Sequence, residues 1–144
     1  MTFNEVRGDL FAYEGTGEST LVHCIASDFA LGAGIAKVFA KMGVKRELCE
    51  KYPKEWNGRG YCLMTDTNGV KTANLVTKQS SFGKPTLETL KQALEDFRDK
   101  AEDIHRIAMP KIGCGLDKLK WEDVRELIQE VFADTDKVIT VYYL

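Results

Sequence analysis

Apolar positions along the chain change period several times, and each change predicts an element. Short apolar stretches near Asn4–Val6 and Leu10–Tyr13 read as strands, followed by a β-branched and apolar run at Thr20–Ile25. From Gly34 to Met42 the spacing becomes helical, with Ile35, Val38, Phe39 and Met42 at i, i+3, i+4 and i+7. A second short helix is expected over Val44–Lys51. Tyr61–Asp66 and Val70–Thr77 flank Thr67-Asn68-Gly69, and Asn-Gly signals a hairpin because both residues tolerate positive φ. Pro85-Thr86 opens the clearest helix, running to about Asp103 with Leu87, Leu90, Leu94, Phe97 and Ala101 on one stripe. Arg106–Met109 is a strand that Pro110 ends. Trp121–Ala133 is the last helix, with Trp121, Val124, Leu127, Ile128, Val131 and Phe132 on one face. Glu122 and Asp123 stand in its first turn, where negative charge suits the helix dipole. Val138–Tyr143 is an apolar strand.

Strands alternating with helices predict an α/β fold, one domain over residues 1–144, with a mainly parallel sheet covered on both faces. The Asn-Gly hairpin makes one pair antiparallel, so the sheet is mixed. Such sheets bind ligands beyond the carboxyl ends of their strands.

Composition narrows the function classes. Hydrophobic residues make up 44% and charged residues 29%, as in ordinary globular proteins. No apolar run approaches the roughly 20 residues of a membrane span, and the opening residues are unlike a signal peptide. With 20 basic and 22 acidic residues interspersed, a dedicated nucleic-acid role is disfavoured, although a local patch can hide in the average. The four cysteines, Cys24, Cys49, Cys62 and Cys114, lie far apart, and with two histidines they supply no zinc cage. Free thiols in a reducing cytosol are expected.

Three loops that follow strands carry the candidate chemistry. Ala26-Ser27-Asp28-Phe29-Ala30-Leu31-Gly32-Ala33-Gly34 leads into a helix, where glycines let backbone N–H groups approach an anion and the dipole adds attraction. The same residues read equally well as a plain turn. A dinucleotide fingerprint fits worse, because Lys37 stands where its third glycine belongs and six residues separate the strand from Gly32. Pro110-Lys111-Ile112-Gly113-Cys114-Gly115-Leu116-Asp117 again pairs two glycines, now followed by a carboxylate. Two such loops at neighbouring strand ends would clamp a diphosphate from both sides. Cys114 reads as a small packed residue, since no acid–base partner for a nucleophilic thiol lies nearby in sequence. In Thr77-Lys78-Gln79-Ser80-Ser81-Phe82-Gly83-Lys84-Pro85, Lys78 ends an apolar strand. Partial desolvation there would lower its pKa and yield a nucleophilic amine. The residues alone favour a plain surface lysine. Lys84 is a weaker candidate, and His23 and His105 read as sheet and strand-start residues.

Together the loops resemble a known family. Gly8-Asp9-Leu10-Phe11, Leu31-Gly32-Ala33-Gly34-Ile35-Ala36 and Met109-Pro110-Lys111-Ile112-Gly113-Cys114-Gly115-Leu116-Asp117 resemble the macrodomain pattern. His23-Cys24-Ile25, Thr77-Lys78, Lys84-Pro85-Thr86 and Ile139-Thr140-Val141-Tyr142 bring the likeness closest to the terminal ADP-ribose protein glycohydrolase branch, the O-acyl-ADP-ribose deacylases. The resemblance spans essentially the whole chain and implies a three-layer α/β/α fold. It implies that Asp9 accepts a hydrogen bond from the adenine amino group beside the Leu10 N–H, with Tyr142 close by. Backbones of Gly32, Ala33, Gly34 and Ile35, and of Ile112, Gly113, Cys114, Gly115 and Leu116, would hold the diphosphate and distal ribose. Lys78 would attack the anomeric carbon of that ribose, and Asp117 would assist departure of the carboxylate and release of the adduct. A nearby carboxylate raises a lysine pKa, so burial must outweigh it for a neutral amine. The Asn-rich first loop of many macrodomains is absent, residues 24–27 reading Cys-Ile-Ala-Ser, which suits the lysine-dependent branch. Ala26 stands where that branch can carry serine, so one hydroxyl contact is missing or moved to Ser27.

The implied function is hydrolysis of ADP-ribosyl esters, on acidic protein side chains or small acyl groups, without metal or cofactor. Three alternatives accompany it: a reader of ADP-ribose without catalysis, a phosphatase of ADP-ribose 1″-phosphate, and removal of ADP-ribose from DNA. The expected partners are ADP-ribose and ADP-ribosylated proteins, with nucleic acid only as a modified substrate and no membrane. A monomer in the cytoplasm is expected, or in the nucleus of a eukaryote.

Overall fold

The computed structural model describes residues 1–14 and 18–144. Its elements are β1 (Thr2–Arg7), α1 (Leu10–Glu14), β2 (Thr20–Ala26), α2 (Ala36–Lys41), α3 (Val44–Lys51), β3 (Tyr61–Thr67), β4 (Val70–Lys78), α4 (Leu87–Lys100), β5 (Arg106–Met109), α5 (Trp121–Phe132) and β6 (Val138–Tyr143). The strands form one sheet in the order β1-β6-β5-β2-β4-β3. Every pair is parallel except β3–β4, the Asn-Gly hairpin, so the sheet is mixed and mainly parallel.

Successive strand residues point to opposite faces, and both faces here are apolar. Val22, Leu75, Ile107 and Ile139 pack beneath Leu90, Leu94 and Phe97 of α4 and Val124, Ile128 and Phe132 of α5. Their neighbours Leu21, Val76 and Ala108 face the other way, against Leu10, Phe39, Val44 and Leu48 of α1–α3. Three layers result, α/β/α. The apolar stripe of α4 is buried from Leu90 onward, while Leu87 is 39% exposed. Thr86 caps that helix, accepting the Thr89 N–H while the Thr89 hydroxyl oxygen accepts the Thr86 N–H, both at 3.0 Å. The helix stops at Lys100, short of Asp103, where the buried Lys137 ammonium donates to the carbonyls of Ala101 and Ile104, each at 2.5 Å.

Leu10–Glu14 is a helix, not the strand that the apolar pattern predicts. Four apolar residues in a row carry no period, so the residue before them decides. Asp9 accepts the Phe11 N–H on Oδ1 at 3.0 Å and the Ala12 N–H on its carbonyl at 3.1 Å, turning the chain straight out of β1.

The β3 edge is closed by side chains. Gly60 N–H and Cys62 N–H donate to Gln92 Oε1 and Asp96 Oδ2, both at 2.8 Å, and Lys100 Nζ donates to the Cys62 carbonyl at 2.6 Å. Further along, the Tyr52 hydroxyl donates to the Met64 carbonyl and Asp66 N–H donates to Glu47. An open edge is a template for pairing with another chain, and these contacts occupy it. Gly60 is required here, since a Cβ on it would lie 1.9 Å from the Thr89 carbonyl oxygen of α4.

Within the sheet, fully buried His23 bonds Asn74 Oδ1 through Nε2 at 2.6 Å and stacks on Phe39 at 3.9 Å. Asn74 Nδ2 donates to the Leu63 carbonyl and to Thr65 Oγ1, which fixes its oxygen toward the imidazole. His23 Nε2 therefore carries the proton, and Nδ1 is buried without a partner. Burial lowers the His23 pKa from 6.5 to about 4, against the opposing Asn74 hydrogen bond. The unfolded chain thus takes up a proton at higher pH than the folded one, so stability is full above pH 6.5 and falls as the pH drops toward 4. Denaturant titrations at pH 7.5 and 4.5 should show a loss of about 2 to 3 kcal/mol from this group. The His23→Gln variant should lack that part of the loss; an equal loss in both proteins would remove the assignment.

Candidate active site

The site lies at the carboxyl ends of β2, β4 and β5, as parallel sheets favour. Lys78 is the last residue of β4, and a register shift between Ile25 and Ala26 sets Ala26 opposite it. Ser27 fastens the two strand ends together: its N–H donates to the Lys78 carbonyl at 3.0 Å and its hydroxyl to the Gln79 carbonyl at 2.6 Å. That hydroxyl is engaged in the scaffold, so the contact expected of Ser27 in place of Ala26 has no free donor there.

Lys78 Nζ donates to Asp117 Oδ1 at 2.7 Å, with the two side chains 14% and 15% exposed. The partners are 39 residues apart and reach each other from two different strand ends. Asp117 rides on the loop after β5. There Gly113 has φ +72, and a Cβ on it would come within 3.0 Å of Leu119 Cδ1, so glycine is needed for the turn. Leu119 N–H donates to the Gly113 carbonyl at 2.8 Å and closes the loop. Lys84 Nζ donates to the Leu116 carbonyl at 3.0 Å, tying the Asp117 loop to the loop that follows Lys78.

The first loop is held by Asp28. Its Oδ1 accepts Ala30 N–H at 3.0 Å, and its Oδ2 accepts the Ser81 N–H and hydroxyl at 2.9 and 2.7 Å. Burial pushes the Asp28 pKa up, but the Ser81 and Ala30 hydrogen bonds and the Lys78 charge outweigh it and hold the carboxyl below its usual range. Phe29 and Leu31 adopt positive φ, 53° and 45°, with Phe29 fully buried as the anchor of this turn. Helix α2 then starts without a side-chain cap, Ile35 occupying the cap position.

These loops enclose a cleft of about 400 Å³. Gly32, Ala33, Gly34 and Ile35 line it, together with Ile112, Gly113, Gly115 and Leu116 and with Lys78 and Asp117. Asp9, Leu10, Cys114 and Tyr142 are not among the lining residues. Asp9 caps α1, while Leu10, the first residue of that helix, and Tyr142 are buried in the same apolar cluster. The Cys114 thiol donates to the Ile112 carbonyl at 3.3 Å, and burial raises its pKa to about 11 against the Lys111 charge. A thiol held protonated in this way is a packing group. Burial likewise raises the Cys24 pKa. His105 stands just before β5, its carbonyl accepting the Val138 N–H. A larger cavity, about 780 Å³, lies between residues 55–61 and α4, but its Gln92 and Asp96 serve the β3 backbone. The described residues contain no group of three or more His, Cys, Asp or Glu able to hold a metal ion.

Sequence reasoning left Asp28 and Ser81 unassigned and ranked Lys84 low, yet all three brace the site. Only Asp28 leaves a local trace, an Asx turn onto Ala30; the contacts to Ser81 and Leu116 are long-range.

The family model described as "Macro domain" matches residues 22–128. A bovine (Bos taurus) protein named ADP-ribose glycohydrolase OARD1 is 42% identical over 142 residues, which cover 96% of this chain and 90% of the relative. The human (Homo sapiens) protein of the same name is 41% identical with the same coverage. Among solved structures, the macrodomain of Mycobacterium tuberculosis DarG has a TM-score of 0.82 at 21% identity, covering 99% of this chain and 98% of that one, a likeness of fold. The chain belongs to the macro domain family.

Proposed function

We propose that the chain binds ADP-ribose in the cleft between its two glycine loops and hydrolyses ADP-ribosyl esters, with Lys78 as nucleophile and Asp117 as its proton partner. The observation that carries this reading is the 2.7 Å contact between Lys78 Nζ and Asp117 Oδ1, both of which line that cleft. Relatives sharing 41–42% of their residues over 96% of the chain are named ADP-ribose glycohydrolases, which supports the same reaction class.

The chemistry follows from the pair. An ammonium is no nucleophile, so its proton must leave before attack. Asp117 is a direct acceptor; passing the proton across the hydrogen bond leaves a neutral amine beside a neutral acid, with no change of net charge in a small cleft. The amine then forms a bond to the anomeric carbon of the distal ribose as the ester C–O bond breaks, and the electron pair departs with the carboxylate. Hydrolysis of the nitrogen-linked adduct by water returns the lysine, with Asp117 placed to relay the protons. A carboxylate is a good leaving group, so no metal is needed. An ADP-ribose reader without catalysis would gain nothing from this contact.

Lys84 serves as a positioning residue, since its ammonium holds the carbonyl of Leu116, the residue before Asp117.

In a single-turnover assay with glutamate-modified protein, Lys78→Ala should release no ADP-ribose while calorimetry finds its ADP-ribose affinity within about threefold of the parent. Turnover that survives the substitution would refute the nucleophile. Lys84→Ala should lower kcat about tenfold, about 1.4 kcal/mol of positioning, with little change in KM. A change confined to KM would place Lys84 in binding alone.

A further inference from the structure

A single carboxylate touches both the first glycine loop and the loop that follows Lys78. Asp28 Oδ1 accepts the Ala30 N–H at 3.0 Å, and Oδ2 accepts the Ser81 N–H and hydroxyl at 2.9 and 2.7 Å. The residue before it, Ser27, donates to the carbonyls of Lys78 and Gln79. Four hydrogen bonds thus join residues 27–28 to 78–81, where the pairing of β2 with β4 ends at Ala26 and Lys78.

The glycine loop is held in a costly conformation. Among the described residues, four other than glycine have positive φ, and two of them, Phe29 and Leu31, flank Ala30. Left-handed backbone under a bulky side chain persists only where surrounding contacts over-determine it. Buried Phe29 supplies one such contact, and the Asp28 bond to the Ala30 N–H supplies another. The same carboxylate that shapes this loop therefore sets where it stands relative to the Lys78 strand end.

We propose that Asp28 is a positioning residue of the reaction, fixing the glycine loop against the strand end that carries Lys78 and so fixing the approach of the amine to a bound ribose. This rests on the ester-hydrolase reading. Attack requires reacting atoms about 3 to 3.5 Å apart, and a misplacement of about 1 Å costs on the order of 100-fold in rate. Asp28 acts through the two loops and takes no part in bond making. Its charge works in the opposite sense, since Lys78 and Asp28 attract each other and a nearby carboxylate favours the ammonium. Removing that charge would by itself ease deprotonation of Lys78, so a rate lost with Asp28 is a loss of position.

The test measures single-turnover release from glutamate-modified protein at saturating concentration, and ADP-ribose affinity by calorimetry, in Asp28→Ala, Ser81→Ala and the double variant. Asp28→Ala should be about thirtyfold slower. Its affinity should stay within about threefold of the parent, because Phe29 and Ser27 still seat the loop. Ser81 is exposed, so Ser81→Ala keeps the fold; it removes one bond between the loops and should be about threefold slower. The double variant should be no slower than Asp28→Ala, because the Ser81 hydroxyl then has no carboxylate to hold. A parent rate in either single variant, an affinity that falls as far as the rate, or additive losses in the double variant would each overturn the assignment while leaving the hydrolase reading in place. A parent protein that releases no ADP-ribose would sink both.

Discussion

The site depends on a carboxylate and an ammonium that meet across a strand to which neither belongs. In the sheet order, β2 lies between β4, which ends in Lys78, and β5, whose loop carries Asp117. The long Lys78 side chain and the loop that carries Asp117 close the pair to 2.7 Å. The last residue of β2 is Ala26, which lines the cleft. Its place opposite Lys78 follows from the register shift after Ile25.

That crossing would be loose without lateral bracing, because all three loops leave the sheet at its end. Each is tied to another by a side chain. Ser27 and Asp28 hold the segment 78–81, and Lys84 holds the carbonyl before Asp117. Below them the framework is rigid for a different reason. Both faces of the central strands are apolar and covered, the β3 edge is occupied by side chains, and the His23–Asn74–Thr65 network links β2 to β4 and β3 through buried hydrogen bonds. Such a network is specific because each unmade bond is expensive in a dry interior. The unpartnered Nδ1 of His23 is the one place along it where that expense stays unrecovered.

How much of this was legible in the sequence follows from the range of each interaction. Elements with a clear period or a strong turn signal came out to within a few residues, as at Val44–Lys51, Arg106–Met109 and Val138–Tyr143. Leu10–Tyr13 did not, because an unbroken apolar run has no period and the Asp9 cap is the feature that makes it helical. The end of α4 was overrun because Lys137, distant in sequence, caps it. For the site, residue type alone favoured a plain surface lysine at position 78, and only the family pattern paired it with Asp117. The braces Asp28–Ser81 and Lys84–Leu116 span 53 and 32 residues and leave no local signature.

Electrostatics then separates binding from chemistry. Among the cleft's lining residues, Lys78, Lys84 and Lys111 face Asp28 and Asp117, a net of one positive charge. Lys78 is compensated by Asp117 at 2.7 Å and feels Asp28 as well, so it adds little field for a diphosphate. Lys84 is committed to a carbonyl, and Lys111 sits over the rings of Trp121 and Tyr143 at 5.7 and 4.9 Å. Under the proposed function, a doubly charged diphosphate would therefore rest mainly on backbone N–H groups of the two glycine loops. In that reading Lys78 stays uncommitted to phosphate. A lysine that had to neutralise the ligand would have to stay charged, whereas one already paired with a carboxylate can pass its proton across and attack.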